Sequence, residues 1–236
     1  MFQKVLPPHI FCLEASEKMW QQTLSPQLEN FIVKAVPQRQ AEFRAGRNAA
    51  AELLQKLNKS TEVLMGLKRE PIWPDGVIGS ITHCRPQDHI IGKCCVAIVL
   101  NDNALHIKSL GIDLELAKPL AENLIDKILT PFEQSHLKII QAQERNIVLG
   151  LLCMIIFSMK EAIYKTLFPL LNEYIDFLDL SIELEIDENL HNTLLVSAKI
   201  IAIHEQAPEK LKAMQWKKMH ICCFVDTEWI YSAAWI

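Results

Sequence analysis

Residues 147–157 carry no polar side chain, and the charges that follow, Lys160, Glu161 and Lys165, continue the same stretch up to Pro169. An uninterrupted apolar run predicts a helix that is buried all round. It is far shorter than the roughly 20 residues of a bilayer span, so stable membrane insertion is not expected. The chain therefore has to fold around one long interior helix, over about residues 146–168, whose last turns are charged. Pro169 is expected to stop it. Glu161 and Lys165 lie one turn apart on one face, with Lys160 at its edge. As an exposed pair they would contribute only about 0.3–0.5 kcal/mol. Following a buried run, they are better read as lining a cleft.

A second segment complements this one. Gly111-Ile112-Asp113-Leu114-Glu115 has the composition of a strand. Alternate side chains of a strand share a face, so Asp113 and Glu115 point the same way. Two carboxylates beside buried apolar residues repel each other unless a cation lies between them. If the two segments meet, three carboxylates hold a hard divalent cation while two ammonium groups face phosphate oxygens. That is equipment for a pyrophosphate substrate with Mg²⁺. The donor set suits Mn²⁺ equally.

Two further groups carry chemistry. Arg44 and Arg47 stand at i and i+3 on a predicted helix over residues 38–58, with Gly46 between them and Arg39 a turn earlier. Glycine inside a helix costs about 1 kcal/mol. Close backbone approach beside two guanidiniums would account for it and would suit phosphate. Residues 79–83 (GSITH) end a strand in His83, whose ring either makes a structural hydrogen bond or donates to a phosphate.

Bulk properties narrow the class. The 236 residues are half hydrophobic and carry a net charge of −4, which argues against a nucleic-acid binder. Residues 1–10 hold one lysine and two prolines and no signal-length apolar run, so a cytoplasmic protein is expected. The seven cysteines include the adjacent pairs 94–95 and 222–223 and no Cys-x-x-Cys, which reads as core thiols. There is no His-Glu-x-x-His, Walker loop, Gly-x-Ser-x-Gly or Rossmann fingerprint.

Trp73-Pro74-Asp75-Gly76 marks a turn, followed by strands over 77–82, 94–100 and 110–115. Thr130, Pro131 and Glu133 form the N-cap, first residue and return partner of a capping box. Further strands are expected over 180–186, 194–203, 219–225 and 229–235, with residues 226–228 turning the last hairpin. The order predicts an α+β fold of two similar subdomains side by side, residues 1–115 and 116–236. The site would lie in the cleft between them.

Together these segments resemble the 4′-phosphopantetheinyl transferases of the surfactin and enterobactin type. Residues 44–49 (RAGRNA) are similar to that family's basic helix, and 71–83 (PIWPDGVIGSITH) to its tryptophan-proline and Ser-His segment. Residues 111–115 (GIDLE) match its Gly-Ile-Asp-x-Glu, and 157–165 (FSMKEAIYK) its [Trp/Phe]-Ser-x-Lys-Glu-Ala-x-x-Lys. The four follow in the family's order over residues 38–168; the last third adds no motif. Thr82 stands where serine is usual, and Asn48 where a small or apolar residue is common.

The resemblance implies a monomeric enzyme with two α+β subdomains and coenzyme A as substrate. Asp113, Glu115 and Glu161 would bind Mg²⁺, and Lys160 and Lys165 would contact phosphates. Thr82 keeps the serine's hydroxyl at the substrate site. His83 and Arg47 would hold the 3′-phosphate, with Arg44 nearby and Arg39 and Arg69 as further candidates. Glu161 would be the base, with Lys165 assisting at the departing phosphate. The acceptor would be a serine of an apo carrier protein. The tryptophan-proline segment points to peptidyl or aryl carriers of siderophore synthesis, with acyl carrier protein as an alternative. Two competing readings use the same residues: a Mg²⁺-dependent nucleotide phosphohydrolase, and a non-catalytic adaptor for carrier proteins or coenzyme A.

Overall fold

The computed structural model describes residues 1–86, 89, 91–101, 106–190 and 192–236. The chain forms two compact units. One is Pro7–Lys108; the other combines Ser109–Ile236 with Met1–Leu6. Each unit is α+β, with one long helix laid on an antiparallel sheet.

The first unit contains β1 (Phe11–Glu14), α1 (Glu17–Gln21), α2 (Pro26–Ile32), α3 (Pro37–Lys56), β2 (Leu64–Met65), β3 (Pro71–Ile72), β4 (Val77–Cys84) and β5 (Lys93–Leu100). Its main sheet has the order β1-β5-β4. Pro37 opens α3 with its φ already set for a helix. No β-branched residue interrupts α3, and Asn58 ends the region in a left-handed conformation (φ 54°). Ala49, Ala50, Leu53 and Leu54 pack with Val96 and Ile98. Gly46 has a packing reason: a Cβ there would lie 2.8 Å from Ile81 Cγ2. The missing side chain lets α3 approach β4.

The second unit contains β6 (Leu110–Leu116), α4 (Glu122–Ile128), α5 (Pro131–Gln143), α6 (Leu149–Leu171), β7 (Leu180–Leu190), β8 (Thr193–Ile203), α7 (Glu209–Lys212), β9 (His220–Val225) and β10 (Trp229–Trp235). Its sheet has the order β6-β10-β9-β8-β7, antiparallel throughout. Asp226 Oδ1 accepts from the backbone N–H groups of Glu228 (2.9 Å) and Trp229 (2.8 Å), closing the last hairpin. Among the described residues, no helix is long and apolar enough to cross a membrane. All seven cysteines are free thiols.

Two details differ from the sequence expectation. Pro169 does not stop α6. A proline in the final turn forfeits only one backbone hydrogen bond, and the helix runs on to Asn172, a left-handed cap at φ 53°. The units also divide after Lys108 rather than after 115. The cause is strand pairing: β6 hydrogen-bonds along its length to β10, so the Asp113 strand belongs to the later sheet. The N-terminal residues join the same unit, with Phe2 packed edge-on against Tyr231 at 5.2 Å and the Lys4 ammonium 4.3 Å from the Phe224 ring.

The capping box forms as expected and lies in the core. Thr130 N–H donates to Glu133 Oε2 at 2.7 Å, and Glu133 N–H to Thr130 Oγ1 at 3.4 Å. Glu133 is 0% exposed and accepts further from Ile182 N–H (2.9 Å) and the Lys160 ammonium (2.8 Å). Removing one partner of a buried ion pair strands the other charge and costs about 3–5 kcal/mol. Glu133→Ala is expected to lower unfolding free energy by about that amount in urea titration. Lys56→Ala, which breaks the exposed pair with Glu52, is expected to cost less than about 0.5 kcal/mol in the same assay.

Candidate active site

The site residues fall into two groups, one in each unit. In the second unit the key contact is between β6 and α6. Gly111 makes it possible: a Cβ there would stand 2.0 Å from the Ala162 carbonyl oxygen and 2.6 Å from Thr166 Oγ1. Strand backbone therefore lies against helix backbone, and the side chain two residues along, Asp113, meets α6.

Asp113 is 4% exposed. Its Oδ2 accepts from Ser158 Oγ at 2.9 Å, and its Oδ1 from the Lys165 ammonium at 2.7 Å. Lys165 also donates to the Ile112 carbonyl at 3.1 Å. Glu115 is half-buried, at the position on β6 that shares Asp113's face. Glu161 is half-buried. Burial pushes its carboxyl above its ordinary value of 4.5, Asp113 adds to the rise, and Lys165 opposes it. That combination means Glu161 lies within the field of both.

Lys160 departs from expectation. Its ammonium points into the interior and donates to Ile128 O (2.9 Å), Glu133 Oε2 (2.8 Å) and Phe177 O (2.7 Å). Burial lowers its pKa, and Glu133 works against that fall. These acceptors give the head a structural task. The helical period explains the split. At about 100° per residue, Ser158, Glu161 and Lys165 fall within one narrow arc and Lys160 lies well outside it. Ser158 was missed from sequence, although its spacing of three and seven residues from Glu161 and Lys165 was the available signal.

A pocket of about 510 Å³, counted with its open mouth, adjoins Glu161. Tyr164, Tyr174, Ile175, Phe177 and Leu180 form its largely apolar wall. Tyr164 packs against Phe168 and Tyr174 at centroid distances of 5.6 and 6.0 Å. Phe157 supports Phe177 at 5.5 Å.

The carboxylates are the right donors for a hard cation, but their arrangement does not close on one. Among the described residues, no three Asp, Glu, His or Cys side chains converge as a metal site. On Asp113, the position that a cation would take is held by Lys165.

In the first unit, Arg47 is 7% exposed, with Nη2 donating to Leu64 O at 3.3 Å. Its guanidinium lies 4.7 Å from the Phe43 ring centre, and its Nε is buried with no hydrogen-bond partner. Among the described residues, no carboxylate forms an ion pair with it. Burial lowers its pKa to about 10, and Arg39 contributes to the fall. A buried cation with an unused donor is a seat for an anion. Arg39 donates to His83 Nε2 at 2.9 Å, which requires the proton on Nδ1. That nitrogen faces Glu42 at 3.7 Å. Thr82 is buried on β4 next to His83. Arg44 is held by Glu29 through two contacts of 2.9 and 2.6 Å, a bidentate structural pair. Arg69 stands exposed on a turn at φ 70°.

Comparison with known proteins identifies the class. A family profile described as "4'-phosphopantetheinyl transferase N-terminal domain" matches residues 27–99. A second, described as "4'-phosphopantetheinyl transferase superfamily", matches residues 109–223, beginning where the second unit begins. The chain belongs to the 4′-phosphopantetheinyl transferases. It is 29% identical to 4'-phosphopantetheinyl transferase Npt of Nocardia iowensis over 83% of this chain and 86% of that one. It is 33% identical to PptT of Mycobacterium tuberculosis over 69% and 66% of the two chains. With Enterobactin synthase component D of Salmonella typhimurium it shares 34% identity over 54% of this chain and 47% of that one. The match thus spans about half the length of that relative.

The Glu161 environment has a pH consequence. Because its folded pKa lies above its ordinary value, the stability it contributes is complete below pH 4.5 and is lost as pH rises through the raised value. In EDTA, Glu161→Gln is expected to gain stability relative to the unmodified protein as pH rises from 4.5 to 7. Urea midpoints at both pH values would check this; a difference independent of pH would contradict it.

Proposed function

We propose that this protein transfers the 4′-phosphopantetheine group of coenzyme A to a serine of an apo carrier protein, releasing 3′,5′-ADP. One observation carries the reading. The Gly-Ile-Asp-x-Glu strand meets the Lys-Glu-Ala helix, with Asp113 and Lys165 2.7 Å apart and Glu161 beside a largely apolar pocket. Such a wall suits the uncharged pantetheine arm, and the neighbouring charges suit a pyrophosphate.

In this reading the serine oxygen attacks the phosphorus that bears pantetheine, and the bond from that phosphorus to 3′,5′-ADP breaks. A serine hydroxyl is a poor nucleophile and needs a base. Glu161, with its raised pKa, takes the proton directly or through a water. Lys165 meets the charge that develops on the departing 3′,5′-ADP. Asp113, Glu115 and Glu161 have the donor chemistry for Mg²⁺ or Mn²⁺, which would supply further neutralisation of pyrophosphate charge once the three were drawn together. Arg47 receives the 3′-phosphate through its unused Nε, with His83 and Arg39 beside it and Thr82 supporting the strand. Arg44 and Lys160 serve structure through Glu29 and Glu133.

The relatives named Enterobactin synthase component D favour a peptidyl or aryl carrier domain of siderophore synthesis as acceptor. A monomer in the cytoplasm fits this reading, and free thiols suit a reducing compartment.

The test is intact mass spectrometry of an apo aryl or peptidyl carrier domain incubated with the protein, coenzyme A and Mg²⁺, with an EDTA control. A metal-dependent gain of one phosphopantetheine is expected. An unmodified carrier, with apo acyl carrier protein also unmodified, would overturn the reading. Asp113→Ala is expected to reduce transfer below detection. Arg47→Ala removes a charged donor worth about 1.5–3 kcal/mol. It is expected to raise KM for coenzyme A by about 10- to 100-fold, with a smaller change in kcat.

A further inference from the structure

We propose that Gly46 and Ile81 are positioning residues: their contact sets the gap between α3 and β4, and that gap lets cations on both elements grip one phosphate. The inference rests on the reading of Arg47 as the seat of the 3′-phosphate and adds what fixes the width of that seat.

The cations of the seat come from two elements. Arg39 and Arg47 lie on α3, and His83 lies on β4. Ile81 and His83 stand two residues apart on β4 and so share a face. That face looks at α3. Ile81 Cγ2 lies 2.8 Å from the point where a Cβ on residue 46 would stand, and His83 Nε2 accepts from Arg39 at 2.9 Å. Arg47, the next residue after Gly46, has its Nε buried and unused. The closest approach of helix to strand is therefore made beside the groups that would hold the phosphate.

This contact has little give. Cγ2 is bonded directly to Cβ, and a β-branched side chain is restricted at χ1. Ile81 also packs against two core clusters, one with Ala49, Leu53 and Val96, the other with Trp20, Ala45 and Cys94. Cys94 stands opposite His83 on β5, with its Sγ 3.7 Å from the same point above Gly46. A methyl group on residue 46 would therefore push α3 outward. Carbon atoms rest about 3.5–4.0 Å apart, so the shift is about 1 Å. Arg39 and Arg47 would move with the helix, while His83 stayed with the sheet. A charge-assisted hydrogen bond is about 2.7–2.9 Å long, and a phosphate spanning the two elements would lose one side of its grip. Removing Cγ2 is the opposite error, because it leaves α3 with nothing to rest on at this point. A nucleotide without a 3′-phosphate does not use the seat and is indifferent to either change.

The experiment is isothermal titration of the full chain with 3′,5′-ADP and with 5′-AMP, which differ only in the 3′-phosphate. The ratio of the two affinities is read in unmodified protein, Gly46→Ala, Ile81→Val, Ile81→Ala and the double variant Gly46→Ala/Ile81→Ala. Gly46→Ala and Ile81→Ala are each expected to lower the ratio by about tenfold, the loss of one hydrogen bond to a charged group. Ile81→Val keeps the methyl that faces Gly46 and is expected to leave the ratio unchanged. In the double variant the new methyl fills the space that the isoleucine vacates, and most of the ratio is expected to return. Residues that share a contact are non-additive in this way. A glycine that matters only for stability would lower the urea midpoint and leave the ratio alone. Should Gly46→Ala fail to fold, Ile81→Ala and the double variant still decide. An unchanged ratio in Ile81→Ala, or no recovery in the double variant, overturns the spacer. Equal affinity of the unmodified protein for the two nucleotides overturns the phosphate seat, and the spacer with it. The titration uses no carrier protein, so a failure of phosphopantetheine transfer is read separately by mass spectrometry.

Discussion

The buried pair of Lys160 and Glu133 is the interaction on which the site-bearing unit depends. Through the two side chains, the end of α4, the start of α5, the middle of α6, the Phe177 turn and the start of β7 are tied at one point. A paired charge in the interior has little tolerance for rotation, since each lost contact strands a polar group. Fixing Lys160 inward fixes the rotation of α6 about its own axis. Ser158, Glu161 and Lys165 are then turned toward β6. The order of the active-site charges thus follows from a buried ion pair.

The second constraint is the approach of β6 to α6 over Gly111. An alanine at that position would collide with the Ala162 carbonyl. The glycine of the Gly-Ile-Asp-x-Glu motif therefore needs no phosphate to explain it. It brings Asp113 within hydrogen-bonding distance of Ser158 and Lys165. Gly46 does the same in the other unit, where α3 lies against Ile81. In both motifs the glycine sets the distance between elements, and neighbouring residues carry the charge.

Local signals were readable in the sequence and distant ones were not. The Thr130–Pro131–Glu133 cap is a pattern of three near neighbours, and it forms as read. That the same Glu133 is also the partner of Lys160 depends on burial across a separation of 27 residues. The α+β class and most of the longer strands followed from periodicity and turn residues. The assignment of β6 to the later sheet did not, because its partner β10 lies at the far end of the chain. Short β1, α1 and α2 carry too few residues for a period to emerge. At the site, the motifs named the carboxylates and cations. Helical phase and competing acceptors separate Lys165 from Lys160, and Arg47 from Arg44.

The docking of Met1–Leu6 makes the second unit discontinuous in sequence. Phe2 emerges from the ribosome more than two hundred residues before Tyr231, the ring it packs against. During synthesis the Pro7–Lys108 unit has all of its own chain available and can fold at once. The N-terminal strap, already made, has nowhere to settle until β9 and β10 exist. An apolar side chain is thus without its partner until β9 and β10 have been made, and closure of the second unit waits for them.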